Sequence, residues 1–238
     1  MKDKVLKWLI KIRDKAFGLN KINYQFEEKL IIRIRELKAL EILKPYFPTG
    51  FLFETDYSLP FQLIQHICND ILIYKPKTII EFGSGLSTII ISNFLKEVNL
   101  NVEFISVDQD KNWQNLISRH CNSVSFFSFE ISDNNPFSKN GDGKWFDIPN
   151  KSELLNKNYD LVIIDGPIGK KNKFARYGAI NFLRNKLTKS SIIFIDDIHR
   201  FDEQILAKDF VIEFNLKKID IYKYSRLSHN YNIITSPS

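Results

Sequence analysis

Apolar runs alternate with amphipathic stretches along the chain from Phe51 onward. Short runs rich in Ile, Val and Phe predict five buried strands, at Thr78–Phe82, Val102–Val107, Val124–Phe129, Leu161–Ile164 and Ser191–Ile195. Helical spacing of apolar residues predicts helices near Pro60–Tyr74, Ser87–Lys96, Asp110–His120, Tyr177–Leu187 and Asp202–Phe214. Because strands and helices alternate, we expect a parallel sheet with right-handed crossovers.

The last part of the chain breaks this alternation. We expect two further strands, Lys217–Tyr224 and Asn230–Thr235, with a short turn between them. Such a connection has no room for a helical crossover, so the two strands must pair antiparallel. Further upstream, residues 131–158 form a long polar insertion that contains Trp145. Two interpretations of its part around Lys139–Phe146 stay open, a lid beside a binding site and a disordered surface loop.

The first 50 residues have a pattern of their own. A helix is predicted over residues 2–17, and most of its lysines lie away from its apolar stripe. The stripe consists of Val5, Trp8, Leu9, Ile12 and Ala16. A second helix is predicted from about Tyr24 to Lys44, before a proline that ends it. We therefore expect a helical extension at residues 1–50 and one globular domain at residues 51–238.

The net charge of +6 lies in this extension. Residues 1–50 contain 12 Lys and Arg against 6 Asp and Glu, whereas the rest of the chain contains 22 of each kind. The basic amphipathic first helix allows two interpretations. One is a peripheral contact with a membrane surface, and the other is packing against the body of the protein or a second copy in a homo-oligomer. The neutral remainder shows no basic face, so nucleic acid is not expected as a partner.

Cysteine usage and the length of the apolar runs favour a cytoplasmic protein. Cys68 and Cys121 follow no motif spacing, so neither a disulfide framework nor a zinc site is expected, and both thiols suit a reducing compartment. Lysines interrupt the first apolar residues, which is unlike a signal peptide. No run approaches the roughly 18 apolar residues of a membrane-spanning helix.

The segment Thr78–Thr88 carries the strongest chemical signal. An apolar run ends in Glu81, and two glycines, Gly83 and Gly85, precede a second apolar run. This order predicts a strand, a tight turn and a helix start, where backbone N–H groups favour an anionic ligand group. Asp108 ends the second strand and is placed to accept hydrogen bonds from ribose hydroxyls. Glu81 is placed to meet an amine, so the two carboxylates suit a ligand with a ribose at one end and an amino acid at the other.

These residues, with Asp160–Pro167 as the fourth strand and its turn, resemble the class I S-adenosylmethionine-dependent methyltransferases. The resemblance covers most of residues 52–236 and includes the closing antiparallel pair. It implies an α/β fold with a Rossmann-like, mainly parallel seven-stranded sheet whose last strand is antiparallel. It also implies S-adenosylmethionine as the cofactor.

The same resemblance implies roles around the cofactor. Gly83 and Gly85 would line the methionine part, Glu81 would face its amino group and Asp108 would hold the ribose. The other cofactor contacts that the resemblance implies are polar contacts at the helix start from Ser84, Ser87 and Thr88, a flank of the adenine from Glu130, and a covering segment with Tyr57 and Ser58. Many members of the family have a third glycine where this chain has a serine.

A second group of acidic residues follows the fourth and fifth strands. Asp165 follows the fourth strand, and Asp196 and Asp197 follow the fifth. Adjacent parallel strands lie about 4.8 Å apart, so these carboxylates should share one rim beside the ligand crevice. Three oxygen ligands suit Mg²⁺ or a similar divalent cation, and catechol O-methyltransferase-like enzymes place acid, acid and amide at these strand ends. The other interpretation is structural: one acid caps a helix and another pairs with Arg176 or Arg200.

The segments Asp165–Pro167, Arg176–Ile180 and Asp196–Arg200 are together similar to bacterial sugar and cell-surface methyltransferases and to plant glucuronoxylan methyltransferases. This similarity implies O-methylation of a sugar, a glycan or another small polar acceptor. Arg176 and Arg200 either hold an acidic group of the acceptor or neutralise the aspartates.

A sugar hydroxyl needs a base or a metal ion to lose its proton near neutral pH. His199 is the first candidate for the base because it lies just past the fifth strand, and Asp165 is the alternative. Asp196 is expected to be essential for turnover.

Two other functions stay open. A nucleic-acid or protein methyltransferase would use the basic helices to find its target. However, the turn Asp165–Ile168 differs from the Asn/Asp-Pro-Pro type of turn that is usual in amine-methylating DNA enzymes. An inactive methyltransferase-like assembly module is the other alternative, and the acids at the strand ends argue against it.

Overall fold

A computed structural model describes residues 2–48, 55, 57–139, 143–169 and 172–229, without the side chains of residues 2, 3 and 19–25. The helices are α1 (Lys2–Ala16), α2 (Leu19–Leu43), α3 (Phe61–Tyr74), α4 (Leu86–Glu97), α5 (Lys111–Ser118), α6 (Gly178–Leu183) and α7 (Phe201–Phe214). The strands are β1 (Thr78–Phe82), β2 (Glu103–Asp108), β3 (Val124–Ser128), β4 (Ile131–Ser132), β5 (Trp145–Phe146), β6 (Tyr159–Ile164), β7 (Leu187–Ile195), β8 (Lys217–Ile221) and β9 (Tyr224–Ser228).

Seven strands form one sheet in the order β3-β2-β1-β6-β7-β9-β8. Strand β9 runs antiparallel to β7 and β8, and the other neighbours are parallel. The predicted fold class is thereby confirmed: an α/β, Rossmann-like sheet with an antiparallel last strand. The order reverses between β1 and β6, and ligands of such sheets bind beside the carboxyl ends of the strands at this switch point.

Successive side chains of the central strands fill two separate layers. In β1, Ile79 packs with residues of α3 and α4 on one face, whereas Ile80 and Phe82 pack with residues of α6 and α7 on the other. All three side chains are fully buried. Because neighbouring strand residues point to opposite faces, a continuous apolar run is what a strand covered on both sides requires.

The final hairpin differs from the prediction. Strand β8 ends at Ile221, a two-residue turn follows at Tyr222 and Lys223, and β9 begins at Tyr224. The single strand predicted at Lys217–Tyr224 is therefore wrong, because it contains this turn. The strand predicted at Asn230–Thr235 lies outside the described residues.

Polar residues in β9 account for this error. Ser225, Arg226 and Ser228 resemble a loop in sequence, yet all three are buried. Arg226 Nε donates to Asp70 Oδ2 of α3 at 2.6 Å, and its Nη1 donates to Ser228 Oγ at 2.9 Å. The charged Arg226 can occupy the middle of β9 because its partner on α3 is buried with it.

The segment 131–158 contributes to the core, apart from residues 140–142, which lie outside the described residues. Strands β4 and β5 pair antiparallel within it, and Trp145 is fully buried. The Trp145 ring lies 5.1 Å from the ring of Phe82, centroid to centroid. A Cβ on Gly178 would overlap the indole ring of Trp145. Neither the lid nor the surface-loop interpretation fits Trp145, which is a packing residue.

Several element boundaries also shift. Strands β6 and β7 start at Tyr159 and Leu187, earlier than predicted, and α2 starts at Leu19. Helix α6 ends at Leu183 instead of near Leu187, because the chain turns at Asn185 with a φ of 61° and enters β7.

The N-terminal extension is attached to the body through α2. The Glu36 carboxylate accepts hydrogen bonds from Phe61 N at 2.8 Å and Gln62 N at 3.3 Å, and so caps α3. Ala39 and Leu43 are buried beside it. Helix α1 contacts α2. No helix in the described part of the chain is both long enough and apolar enough to cross a membrane.

Candidate functional site

The turn between β1 and α4 lies at the switch point of the sheet. Gly83 N donates to Val107 O of β2 at 2.8 Å. Asp165 N and Gly166 N, just past β6, both donate to Phe82 O, at 2.9 and 2.6 Å. The turn is thus tied to the strands on both sides of β1, and the crevice expected to hold a ligand is bounded by their carboxyl ends.

The two glycines of this turn are required for different reasons. Gly83 has a φ of +103°, and a Cβ there would lie 3.0 Å from Gly166 N, so conformation and packing both demand glycine. Gly85 has an extended backbone, and a Cβ there would meet no described atom within 4 Å. The space beside Gly85 is therefore open to a ligand. It adjoins the N-terminus of α4, whose N–H groups favour an anionic group.

Ser84, between the glycines, is held from three directions. Its N–H donates to Asp108 Oδ2 at 2.8 Å, and its carbonyl accepts from Trp113 Nε1 at 2.7 Å. Its hydroxyl contacts Gln114 Nε2 at 3.0 Å and Ser106 Oγ at 2.8 Å. Since Trp113 and Gln114 belong to α5, this helix fixes the backbone of the turn.

Asp108 ends β2 directly beside this turn. Its two oxygens accept hydrogen bonds from Ser84 N and Asp110 N, both at 2.8 Å. Burial raises the pKa of Asp108, and these backbone N–H groups lower it. Each carboxylate oxygen has two lone pairs, so Asp108 retains the capacity to accept bonds from a ribose diol.

Glu81 is fully buried beneath the first turn of α4. Its carboxylate accepts hydrogen bonds from Ser87 Oγ at 2.6 Å, Thr88 Oγ1 at 2.5 Å and Ser106 Oγ at 3.1 Å. Burial raises the pKa of Glu81 to about 7, although the three hydroxyls lower it. Glu81 thus secures the start of α4, and the Ser87 hydroxyl supplies a bond that a third glycine could not make. Contact of Glu81 with a methionine amine stays a prediction.

Three further residues predicted to contact the cofactor lie nearer the surface. Tyr57 is exposed, and Ser58 is half-buried and accepts a hydrogen bond from Thr55 N at 2.9 Å. Glu130 is exposed two residues beyond β3, and its carbonyl accepts from Asp147 N at 2.8 Å. Their roles toward a cofactor stay predictions.

Asp165, Asp196 and Asp197 meet at one rim of the sheet. One carboxylate oxygen of each lies within 4.8 Å of the others. Asp196 Oδ1 is buried and accepts no hydrogen bond from the described residues. Burial is the main cause that raises the pKa of Asp165 and that of Asp196, neighbouring acidic groups raise both further, and the Arg176 guanidinium lowers both. The rim therefore favours a cation, a proton or a hydrogen-bond donor beside Asp196.

Arg176 lies inside this cluster and is only 5% exposed. Its Nη2 donates to Asp165 Oδ1 and Asp197 Oδ2, both at 3.1 Å, and its Nη1 donates to the Asp196 carbonyl at 3.1 Å. Its Nε lies 3.8 Å from Glu203 Oε1. This burial among acids favours the interpretation that Arg176 neutralises the aspartates over the interpretation that it binds an acceptor.

His199 and Arg200 lie on the open side of the rim. Arg200 is 42% exposed, and its Nη1 lies 2.9 Å from Asp197 Oδ2. His199 is 50% exposed, and its Nδ1 lies 3.8 Å from Asp197 Oδ1. Both side chains therefore present surface to an approaching molecule, which Arg176 does not.

The three aspartates fit a hard divalent cation as a set of ligands. They offer carboxylate oxygens, the type that Mg²⁺ prefers, and the buried Asp196 Oδ1 lacks a partner among the described residues. Arg176 already bonds to Asp165 and Asp197, so it would share these two ligands with such an ion.

Four residues of this region were not among the predicted site residues: Ser106, Trp113, Gln114 and Glu203. Ser106 has a signal that could have found it, because it is a lone polar residue inside the apolar run of β2. Gln114 and Trp113 occupy ordinary helix positions, and only the folded structure brings them to Ser84.

No protein-family model matches the chain, and a search of curated proteins found no match. Several solved structures are similar to this chain in fold. The SAH-bound methyltransferase PaMTH1 from Podospora anserina has a TM-score of 0.50 and 13% identity, over 82% of this chain and 87% of that chain. An O-methyltransferase from Bacillus cereus in complex with SAH has a TM-score of 0.49 and 10% identity, over 82% and 90% of the two chains. The likeness to PaMTH1 shows the fold, which is that of the class I S-adenosylmethionine-dependent methyltransferases.

Proposed function

We propose that this protein transfers a methyl group from S-adenosylmethionine to a hydroxyl of a sugar, a glycan or another small polar acceptor. The observation that carries the proposal is the open space beside Gly85, which lies between Asp108 at the end of β2 and the rim with Asp165 just past β6. Asp108 suits the ribose of the donor, and the rim suits the hydroxyl of the acceptor. The fold supports the proposal because PaMTH1, an SAH-bound methyltransferase, shares it.

The side of the crevice near β2 would hold the donor. Asp108 would accept hydrogen bonds from the ribose hydroxyls, and the N–H groups at the start of α4 would face the methionine carboxylate. Gly85 leaves the room for close approach of the ligand to the backbone. Glu81, beneath the first turn of α4, would face the methionine amino group. Glu130 and Tyr57 would contact the donor from the surface.

The rim would align and activate the acceptor. The methyl group of a sulfonium is already electrophilic, so the residues must position the hydroxyl and remove its proton. As the new O–C bond forms and the C–S bond breaks, the hydroxyl proton passes to a base. Asp196 is the base that the geometry supports best, since its buried Oδ1 lacks a partner among the described residues. His199, half-exposed at the rim, is the second candidate.

A divalent cation would be held by Asp165, Asp196 and Asp197. Such a cation would lower the pKa of the acceptor hydroxyl. Arg176 keeps a positive charge among these acids in either case. Arg200, with its exposed guanidinium, is the residue placed to bind an acidic group of the acceptor.

Two features favour a hydroxyl over a nucleic-acid base. The turn Asp165–Ile168 lacks the Asn/Asp-Pro-Pro pattern of amine-methylating DNA enzymes. The rim beside it is crowded with carboxylates, which repel a polyphosphate backbone.

Calorimetric titration of SAH tests the donor half. We expect binding to the wild-type chain and affinity lower by about tenfold or more in Asp108→Asn, because hydrogen bonds to a charged group are lost. Glu97→Gln, at the opposite end of α4, is the matched control and should bind like wild type. If the wild-type chain does not bind at high micromolar SAH, the proposed function is wrong.

The acceptor part of the proposal is tested by measuring the transfer of labelled methyl groups to sugars and nucleotide-sugars, with and without Mg²⁺. We expect Asp196→Asn to lose turnover while it keeps the wild-type affinity for SAH. His199→Gln should retain more activity than Asp196→Asn. An active Asp196→Asn variant would remove Asp196 from the chemistry.

A further inference from the structure

The apolar side of α1 is not covered by any described part of the protein. Val5, Trp8, Leu9 and Ile12 recur at helical spacing, and each is between 46% and 60% exposed. An amphipathic helix normally buries such a stripe against the domain that carries it. Contiguous exposed apolar patches mark interaction sites, so the stripe calls for an occupant.

The side of α1 next to this stripe is basic. Lys4, Lys7, Lys11 and Lys15 are all exposed. At 3.6 residues per turn they fall within an arc of roughly 80° that excludes the stripe. Over residues 2–16 the helix holds six basic and two acidic residues. A long apolar stripe bordered by lysines is the pattern of helices that lie in the surface of a membrane.

We propose that α1 binds the surface of a membrane that contains anionic lipids. Charge complementarity selects this occupant over a second copy of the chain, because a second copy would bring two basic helices together. The remaining body is neutral, so the attraction is concentrated in the extension. Trp8, in the middle of the stripe and 60% exposed, is a residue type enriched at the membrane–water interface.

The two parts of this surface act together. An apolar stripe of this kind gives modest binding by itself, and lysines beside an anionic leaflet add an attraction that salt screens. We therefore expect reversible, salt-sensitive binding. This inference is independent of the proposed methyl transfer, since neither α1 nor its lysines belong to the candidate site.

Co-sedimentation of the full chain with lipid vesicles tests the inference. We expect binding to vesicles of phosphatidylcholine with about one third phosphatidylglycerol, weaker binding to phosphatidylcholine alone, and release at high salt. Tryptophan emission should shift to the blue on binding, and Trp8→Phe should abolish the shift, because Trp145 is already fully buried and the half-buried Trp113 is bonded to Ser84 O in the body, away from α1. Equal binding to both kinds of vesicle, or none, would overturn the proposal.

Two sets of variants separate the contributions. Removing the charges with Lys7→Gln, Lys11→Gln and Lys15→Gln should weaken binding by about a hundredfold, since each lysine near an anionic leaflet contributes about fivefold. The matched control replaces three exposed lysines of the body, Lys151, Lys189 and Lys208, with glutamine and should bind like wild type. If both triple variants bind alike, the charge argument is wrong.

The apolar part is tested with Leu9→Gln and Ile12→Gln together, which keep good helix formers. We expect loss of vesicle binding with an unchanged melting temperature of the body. A dimer that forms without lipid, that dissociates in this variant and that does not bind vesicles would assign the stripe to a second copy and overturn the proposal.

Discussion

Gly83 and Gly166 meet backbone to backbone where β1 and β6 end. A Cβ on Gly83 would lie 3.0 Å from Gly166 N, and a Cβ on Gly166 would lie 3.0 Å from both Gly83 N and Gly83 Cα. This contact sets the spacing between two parts of the candidate site. On one side is the turn proposed to bind the donor, and on the other is Asp165, the first acid of the rim.

We expect Gly83→Ala to destabilise the protein by about 2 kcal/mol or more. The substitution places a side chain at a φ of +103° and forces it against Gly166. The free energy of unfolding from guanidinium titration is the measurement. A variant as stable as wild type would mean that the two segments can move apart freely.

Gly85→Ala should show the opposite behaviour. Its backbone is extended and a Cβ would meet no described atom within 4 Å, so the change in the free energy of unfolding should stay within about 0.5 kcal/mol. The affinity for SAH should fall by about tenfold or more, because the new methyl group takes room assigned to the donor. Unchanged affinity would show that the donor does not lie beside Gly85.

The buried Glu81 predicts a pH dependence of stability. Its pKa is about 7 in the folded protein against an ordinary value of 4.5. Between these values the folded state binds more protons than the unfolded state, so stability falls as the pH rises and the loss is complete above about pH 7. The loss is on the order of 3 kcal/mol at most. Asp165 and Asp196 have raised pKa values and act in the same direction.

The contribution of Glu81 is measured as a difference. The midpoint of guanidinium unfolding should decrease from about pH 5 to about pH 8. This decrease should be smaller in Glu81→Gln than in wild type, because glutamine does not ionise. Glu97→Gln, whose carboxylate is exposed, should follow wild type. Parallel pH profiles for wild type and Glu81→Gln would contradict the assignment.

The sequence predicted the parallel strands and the meeting of Asp165, Asp196 and Asp197 at one rim, because both depend on local order. The run Thr78–Phe82 contains Ile79, Ile80 and Phe82 in neighbouring positions, so apolar side chains point to both faces, as a strand covered on both faces requires. The proximity of Asp165, after β6, to Asp196 and Asp197, after β7, could be predicted because parallel strands end at one edge of the sheet. These inferences need only the order of elements and the spacing between strands.

Other features depend on contacts between distant residues and were not predictable. Strand β9 looks polar until Asp70, 156 positions away from Arg226, is seen to pair with it. Trp145 looks like a loop residue until Phe82 and Gly178 are seen against it. Arg176 was placed near the acids, but its burial among them follows from the path of the chain before α6.

The pair of Asp70 and Arg226 allows a last prediction. Arg226 Nε donates to Asp70 Oδ2 at 2.6 Å, and both side chains are almost fully buried. Asp70→Ala would leave the guanidinium inside the protein without its partner, so we expect a loss of about 3 to 5 kcal/mol in the free energy of unfolding.

The double variant Asp70→Leu with Arg226→Met replaces both charges by apolar groups and should recover most of that loss. Urea denaturation of wild type, Asp70→Leu, Arg226→Met and the double variant, which are the four proteins of the double-mutant cycle, gives the coupling energy. Because α3 and β9 carry the pair, away from Gly85 and Asp108, the folded double variant should bind SAH with wild-type affinity. If Asp70→Ala costs no more than a surface substitution, about 0.5 kcal/mol, β9 does not depend on this ion pair for its place in the sheet.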